Sequence, residues 1–320
     1  MMLADFLAVA GGLVVLALSA DRFINAAATT ARLLGVPPLL VGLTVVGFGT
    51  SAPEMVVSVI ASIQGREGIA IGNVIGSNVA NMTLVLGSAA VITPLVVQPM
   101  LVRREMPLVI GISVLTVGLA LDNQLSAIDG IILLIGLAGF LGFLVMLGRR
   151  GESDPLAPDL ASDPAESMSP RAAVLWLLLG LALLPASSQA LVWGAGNIAA
   201  AIGVSELVIG LTVVAVGTSL PELATAISAV RQKQPDLVIG NVLGSNLFNI
   251  LAVLPFPALL APGFIPAGAL VRDMPAMLAA ILAVYLLSRF GANRIGRGGG
   301  LLLLGGFVGY GVLLFMQRFQ

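Results

Sequence analysis

Two glutamates in apolar surroundings carry the chemistry of this chain. Glu54 ends the stretch Gly49-Thr50-Ser51-Ala52-Pro53-Glu54, and Glu222 ends Gly217-Thr218-Ser219-Leu220-Pro221-Glu222. A carboxylate inside a membrane-type apolar run is expensive to place, so its presence points to function. The two are 168 positions apart, about half of the 320-residue chain. A second motif returns at the same spacing. Gly72-Asn73-Val74-Ile75-Gly76-Ser77-Asn78, followed by Asn81, reappears as Gly240-Asn241-Val242-Leu243-Gly244-Ser245-Asn246, followed by Asn249. Collected, these are two carboxylates with Thr and Ser hydroxyls and Asn amide oxygens. Hard oxygens of this kind suit calcium or sodium, whereas zinc or copper would call for His or Cys. The chain has neither His nor Cys, which also removes disulfides and any imidazole base. Two glutamates supply a formal −2, the complement of one divalent ion.

Local spacing says how these groups are presented. Thr50 and Glu54 lie four residues apart, as do Ser77 and Asn81, so each pair shares a helical face. Pro53 has no amide hydrogen and its ring clashes with the carbonyl four residues back, at Gly49. With Gly47 and Gly49 loosening the same turn, the helix is expected to break there and to free carbonyls such as those of Gly47 to Gly49. Irregular backbone at membrane depth survives only where it lines a cavity or binds something. Gly72 and Gly76 form a small-xxx-small ridge for close helix approach. Asn73, Asn78, Asn241 and Asn246 fit either ion binding or helix-to-helix hydrogen bonding.

The elements that must position these groups are membrane helices. The chain is 58% hydrophobic and only 10% charged, with a mean hydropathy of +1.07. Such a composition belongs to an all-α polytopic membrane protein whose partner is the lipid bilayer. A net charge of −1 offers nothing to nucleic acid. Hydropathy marks ten spans, near 4–20, 39–63, 69–94, 105–121, 126–148, 172–188, 205–230, 237–261, 275–288 and 299–317. The first and sixth are expected to continue as helix past these limits. Met1 to Ala20 reads as a first membrane helix rather than a signal peptide, because it lacks a basic start and carries Asp5. Arg149 to Pro170, rich in Asp, Pro and Ser, reads as a solvated connector. Its acidic residues do not follow the spacing of an EF-hand loop. Arg104-Glu105 and Arg272-Asp273 mark the ends of the fourth and ninth spans.

Val36 to Leu86 matches Val204 to Leu254 without a gap, with about half the positions identical. The chain therefore divides into a first five-helix repeat (1–148), a connector (149–170) and a second repeat (171–320). Five is odd, so the second copy enters the membrane in the opposite direction, giving two inverted five-helix repeats. With the N-terminus and C-terminus outside, 12 of the 15 Lys and Arg fall on the inner side, the connector included. Only Arg66, Arg272 and Arg318 fall outside, as the positive-inside rule requires.

At these motifs the chain resembles the cation/calcium antiporter superfamily, specifically prokaryotic members of the sodium/calcium exchanger type. The resemblance covers both repeats and so nearly the whole chain. It implies an antiporter of the cell (inner) membrane, with calcium and sodium as transported ions, no cofactor and no enzymatic activity. It implies ion ligands at Thr50, Ser51, Glu54, Ser77 and Asn81, then at Thr218, Ser219, Glu222, Ser245 and Asn249. Backbone carbonyls of Gly47 and Ala215 join that set, and spans 1 and 6 form a sliding pair. Asn249 stands where some relatives carry Asp, which leans against potassium dependence and leaves the site one charge poorer. A proton- or potassium-coupled carrier for calcium or another divalent ion is the alternative. A cation channel, or an intramembrane enzyme using both glutamates as an acid/base pair, are the readings from other classes.

Overall fold

The computed structural model describes residues 2–35, 38–150, 168–201, 215–265 and 268–316. Twelve helical segments organise them. They are α1 (Met2–Leu34), α2 (Gly42–Thr50), α3 (Ala52–Ile63), α4 (Glu67–Ile92), α5 (Leu101–Asp122), α6 (Ala127–Arg150), α7 (Pro170–Ala201), α8 (Ala215–Thr218), α9 (Leu220–Arg231), α10 (Pro235–Leu260), α11 (Ala269–Phe290) and α12 (Arg297–Met316). Eight of these are long and apolar enough to cross a bilayer by themselves. The pair α2 and α3, bent by 47° at a short break, meets the same test of length and apolarity when its two helices are taken together. The expected seventh span, 205–230, is seen as α8 and α9, while 202–214 lie outside the described residues. The connector residues 151–167 also lie outside them.

Helix ends follow the sequence chemistry. Proline sits in the first turn of α3, α9 and α10, where its missing amide hydrogen would have no intrahelical partner anyway. Ser126 and Asp129 form a reciprocal cap on α6, the Ser126 amide donating to Asp129 Oδ2 at 2.8 Å and the Asp129 amide to Ser126 Oγ at 3.3 Å. Arg104-Glu105 and Arg272-Asp273 close five-residue π-turns that open α5 and α11, one turn deeper than the expected span ends. α1 and α7 run well past the expected 4–20 and 172–188.

Lipid and protein divide the helices unequally. The most apolar stretch of α10 is wholly enclosed by protein, and that of α4 is 72% buried. The other six long helices bury only 11 to 33% of theirs, which leaves them facing lipid. A central α4/α10 unit, with α2, α3, α8 and α9 around it, is thus walled from the bilayer. α1 and α7 lie antiparallel along each other. Asn197 Nδ2 donates to Asp5 Oδ1 at 2.8 Å near one end, and the Arg22 guanidinium stands over the Trp176 ring towards the other.

Two short antiparallel strand pairs tie the loops. β1 (Leu95–Val96) pairs with β4 (Arg294–Ile295), and β2 (Gln124–Leu125) with β3 (Gly263–Phe264). Each pair joins a loop of the first half of the chain to a loop of the second.

Candidate cation site

Two helix breaks set the geometry. Ser51, at φ −80° and ψ 4°, separates α2 from α3, and Ser219, at φ −86° and ψ 5°, separates α8 from α9. Both are near the sparsely allowed bridge region, and they are equivalent under the 168-residue shift. The break therefore falls two residues before each proline, and the proline opens the helix that follows. The expectation that Gly47 carries a freed carbonyl is corrected here. Its oxygen accepts the Ser51 amide at 3.2 Å and the Ser245 hydroxyl at 3.2 Å. Ala215 opens α8.

Glu54 and Glu222 are both fully buried, one on each short helix after the break. They lie within Coulombic reach of each other. Their hydroxyl partners come largely from the opposite half of the chain. Ser77 donates to Glu54 Oε1 at 3.2 Å, and the Thr218 hydroxyl also bears on the Glu54 carboxylate. Ser51 donates to Glu222 Oε1 at 3.4 Å, and the Thr50 hydroxyl also bears on Glu222. Each glutamate thus takes one serine and one threonine, partly from the opposite half of the chain. Thr50 also lies 3.0 Å from Asn241 Oδ1 and 3.2 Å from Ser245 Oγ, which locks α2 onto α10.

Five further side-chain oxygens complete the picture. Glu54 Oε2, Glu222 Oε2, Ser219 Oγ, Asn81 Oδ1 and Asn249 Oδ1 are buried and, among the described residues, have no hydrogen-bond partner, which is true also of Asn246 Oδ1 and, elsewhere, of Thr30 Oγ1 and Glu105 Oε2. Buried polar atoms are normally paired, so a concentration of unpaired oxygens calls for an explanation. All twelve residues expected at the site except Ala215, whose side chain lies outside the described set, are buried on α2, α3, α4, α8, α9 and α10 or at their breaks. Among the described residues no three Asp, Glu, His or Cys cluster, so any cation here is held by two carboxylates and neutral oxygens.

The four asparagines left open by the sequence divide by contact. Asn73 donates to the Glu54 carbonyl at 3.3 Å and to Ser58 at 3.2 Å, holding α3 against α4. Asn241 donates to Thr225 at 3.0 Å, holding α9 against α10. Both act as interhelical hydrogen-bond donors. Asn78 and Asn246 meet where α4 and α10 cross, Asn246 Nδ2 donating to the Asn78 carbonyl at 3.3 Å. Gly244 and Gly240 receive the backbone of α2; at Gly72 and Gly76 an added Cβ would meet nothing within 4 Å among the described residues, which do not include 202–214.

Some structure near the site escaped the sequence reading. Asn81 and Asn249 each begin a π-turn, Asn81–Val85 and Asn249–Val253, and α2 begins with another at Gly42–Val46. Such turns gather at functional sites, but no residue type announces them. Ser188 on α7 donates to the Gly217 carbonyl at 2.5 Å, coupling α7 to the second break. The Ser187-Ser188 pair in an apolar run was the only available signal for that contact.

This arrangement has known counterparts. The model of the family described as sodium/calcium exchanger protein matches residues 5–146 and 172–316. The chain belongs to the sodium/calcium exchanger family. Among family relatives, a putative antiporter, CaxA, of Alkalimonas amylolytica is 45% identical over 95% of this chain and 96% of its own length. Sodium/calcium exchanger MaX1 of Methanosarcina acetivorans is 32% identical over 98% of this chain and 99% of its own. The fold is similar to that of the sodium-calcium exchanger NCX_Mj in crystals soaked with Na+ and Sr2+. The TM-score is 0.83 at 30% identity, covering 96% of this chain and 97% of that one. Family membership makes this a membrane transporter of the exchanger type rather than an enzyme.

Proposed function

We propose that the protein is a secondary antiporter that exchanges calcium for sodium by alternating access at the Glu54/Glu222 site. The set of unpaired buried oxygens carries this reading. Glu54 Oε2, Glu222 Oε2, Ser219 Oγ, Asn81 Oδ1 and Asn249 Oδ1 are the atom types that a hard cation takes as ligands. Thr50, Ser51, Ser77, Thr218, Ser245, Gly47 and Ala215 line the same breaks and would complete or orient that set. The sodium/calcium exchanger names of MaX1 and NCX_Mj support sodium as the counter-ion. The deciding experiment is calcium flux into proteoliposomes loaded in turn with sodium, with potassium or with a proton gradient. Uptake driven by potassium or protons but not by sodium would overturn the proposed coupling.

The same proposal includes ten crossings in two inverted halves. The pairing of β2 with β3 supports this count, because strands paired at one membrane face require an even number of crossings between them. α6, α7 and α10 give three crossings, and the segment ending in α8 and α9 supplies the fourth. By the same parity, β1 and β3 lie on opposite faces although the 168-residue shift superposes one on the other. The charge distribution supports an orientation with both termini outside and residues 149–170 inside. Single cysteines at Ser153 and Gln320 are expected to react differently with an impermeant thiol reagent applied outside intact cells, Gln320→Cys strongly and Ser153→Cys hardly. Equal labelling of the two would refute this topology.

Charge at the site predicts the electrical character of transport. Glu54 and Glu222 are its only formal charges, because Asn81 and Asn249 are neutral. One calcium makes the loaded site neutral, and three sodium ions would make it +1. A three-for-one cycle then moves one net charge in the direction of sodium. One charge is worth about 2.3 kcal/mol per 100 mV, roughly fiftyfold in a transport equilibrium. Calcium uptake into sodium-loaded vesicles is expected to speed up when a potassium–valinomycin clamp makes the interior positive. Sodium-dependent uptake that ignores the clamp would establish a two-for-one, electroneutral cycle instead.

A further inference from the structure

Where α4 and α10 cross, the two halves of the chain offer four chemically identical asparagines: Asn78 and Asn81 from one, Asn246 and Asn249 from the other. The shift of 168 turns Asn78 into Asn246 and Asn81 into Asn249. One diagonal hydrogen bond is made. Asn249 Nδ2 donates to Asn78 Oδ1 at 3.3 Å, which leaves Asn249 Oδ1 as the free end of its amide. Its mate under the shift would run from Asn81 Nδ2 to Asn246 Oδ1. That bond is not made, and both atoms it needs are buried without any partner among the described residues, as is Asn81 Oδ1. The spare donor of Asn78 meets only the sulfur of Met277, at 3.5 Å. A thioether is a weak acceptor, and the residue equivalent to Met277 in the first half is Val109.

Two equivalent bonds with only one made describe a bistable element. We propose that Asn78 and Asn246 are positioning residues that work in turn. Asn78 anchors Asn249 in the conformation seen here, and Asn246 anchors Asn81 in the oppositely facing one. Each anchor binds the NH2 end of its partner and thereby fixes the amide oxygen as the end presented to the cation. In each facing state one asparagine ligand is held and the other is loose. The site can therefore keep its ligand types while the crossing rearranges. This inference rests on the proposed cation site and on alternating access, and assigns the residues that bias the two states.

If it holds, removing one anchor favours the state that uses the other. Apparent affinity scales with the fraction of protein in the competent state. Asn78→Ala and Asn246→Ala should therefore move the ratio of calcium KM values, outside over inside, in opposite directions. A shift of about fivefold each way is expected, the effect of one net hydrogen bond. The ratio is measured by sodium-dependent calcium flux in right-side-out and inverted vesicles. The double variant Asn78→Ala/Asn246→Ala should return the ratio to the wild-type value even if its rate is low. If an alanine variant fails to reach the membrane, the serine variant is read instead, since its hydroxyl is too short to bridge the gap. Ratios that move in the same direction, or stay put while the rate falls, assign a purely structural role to the pair and overturn the proposal. Such a result with sodium–calcium exchange intact would leave the cation site standing, whereas loss of exchange in Glu54→Gln is the separate test of that site.

Discussion

Glu54→Gln and Glu222→Gln are each expected to abolish calcium exchange while the protein still inserts and folds. Both side chains are fully buried, and together they offer a formal −2 to the proposed site. Removing one carboxylate leaves −1 facing a +2 ion in a water-poor setting. Breaking a buried charge pair in this way costs about 3–5 kcal/mol, a loss in calcium affinity of between about a hundredfold and a few thousandfold. Glutamine keeps the shape and can still accept from Ser77 or Ser51 through its amide oxygen, so packing at the break is preserved. Ser77→Ala and Ser245→Ala should be much milder, near the ~1 kcal/mol of a single neutral hydrogen bond, or about fivefold. Radiolabelled calcium uptake against a sodium gradient measures all four, with size-exclusion profiles to establish folding. Wild-type uptake by either glutamine variant would show that calcium does not need the paired carboxylates.

Gly244→Ala is expected to damage both stability and transport, through packing alone. A Cβ at Gly244 would lie 2.4 Å from the Leu43 carbonyl oxygen and 2.9 Å from its carbonyl carbon. These are backbone atoms, so no side-chain rotation can relieve the clash. Either α2 moves away from α10 or α10 shifts as a whole. Overpacking of this kind costs about 1–3 kcal/mol, occasionally more. Separation of the two helices also takes Thr50 from Asn241 and Ser245 from the Gly47 carbonyl, which are the bonds that hold the first break in place. Gly139→Ala is the control, because a Cβ there meets nothing within 4 Å. The expected result is a lowered melting temperature in detergent and strongly reduced calcium uptake for Gly244→Ala, with Gly139→Ala unchanged or slightly stabilised. A Gly244→Ala protein with normal melting and uptake would mean that α2 does not approach α10 this closely.

Much of this molecule is legible in the residue string because its strongest signals are local or periodic. A bilayer demands long apolar helices, so hydropathy alone marks the crossings. Burying a carboxylate in such a run is costly enough that Glu54 and Glu222 announce a site without any structure. The 168-residue shift pairs every site residue with its counterpart, and proline in a first turn marks where α3, α9 and α10 begin. What only the tertiary structure decided depends on distances between helices that no local pattern encodes. The break lies at Ser51 and Ser219, ahead of each proline, because the Ser51 amide still reaches the Gly47 carbonyl and the proline is accommodated in the next helix. Gly47 is consequently a hydrogen-bond acceptor for α10 rather than a freed carbonyl. Asn73 and Asn241 match Asn81 and Asn249 in type and lie in the same motifs, yet their amide donors go to Ser58 and Thr225 and hold helices together. Asn81 and Asn249 are equivalent in sequence, but only the Asn249 amide donates to an asparagine across the crossing of α4 and α10, while among the described residues that of Asn81 has no partner. Residue type and spacing determined which groups could bind a cation. The packing of α2, α4, α9 and α10 decided which of their oxygens remain unpaired to do so.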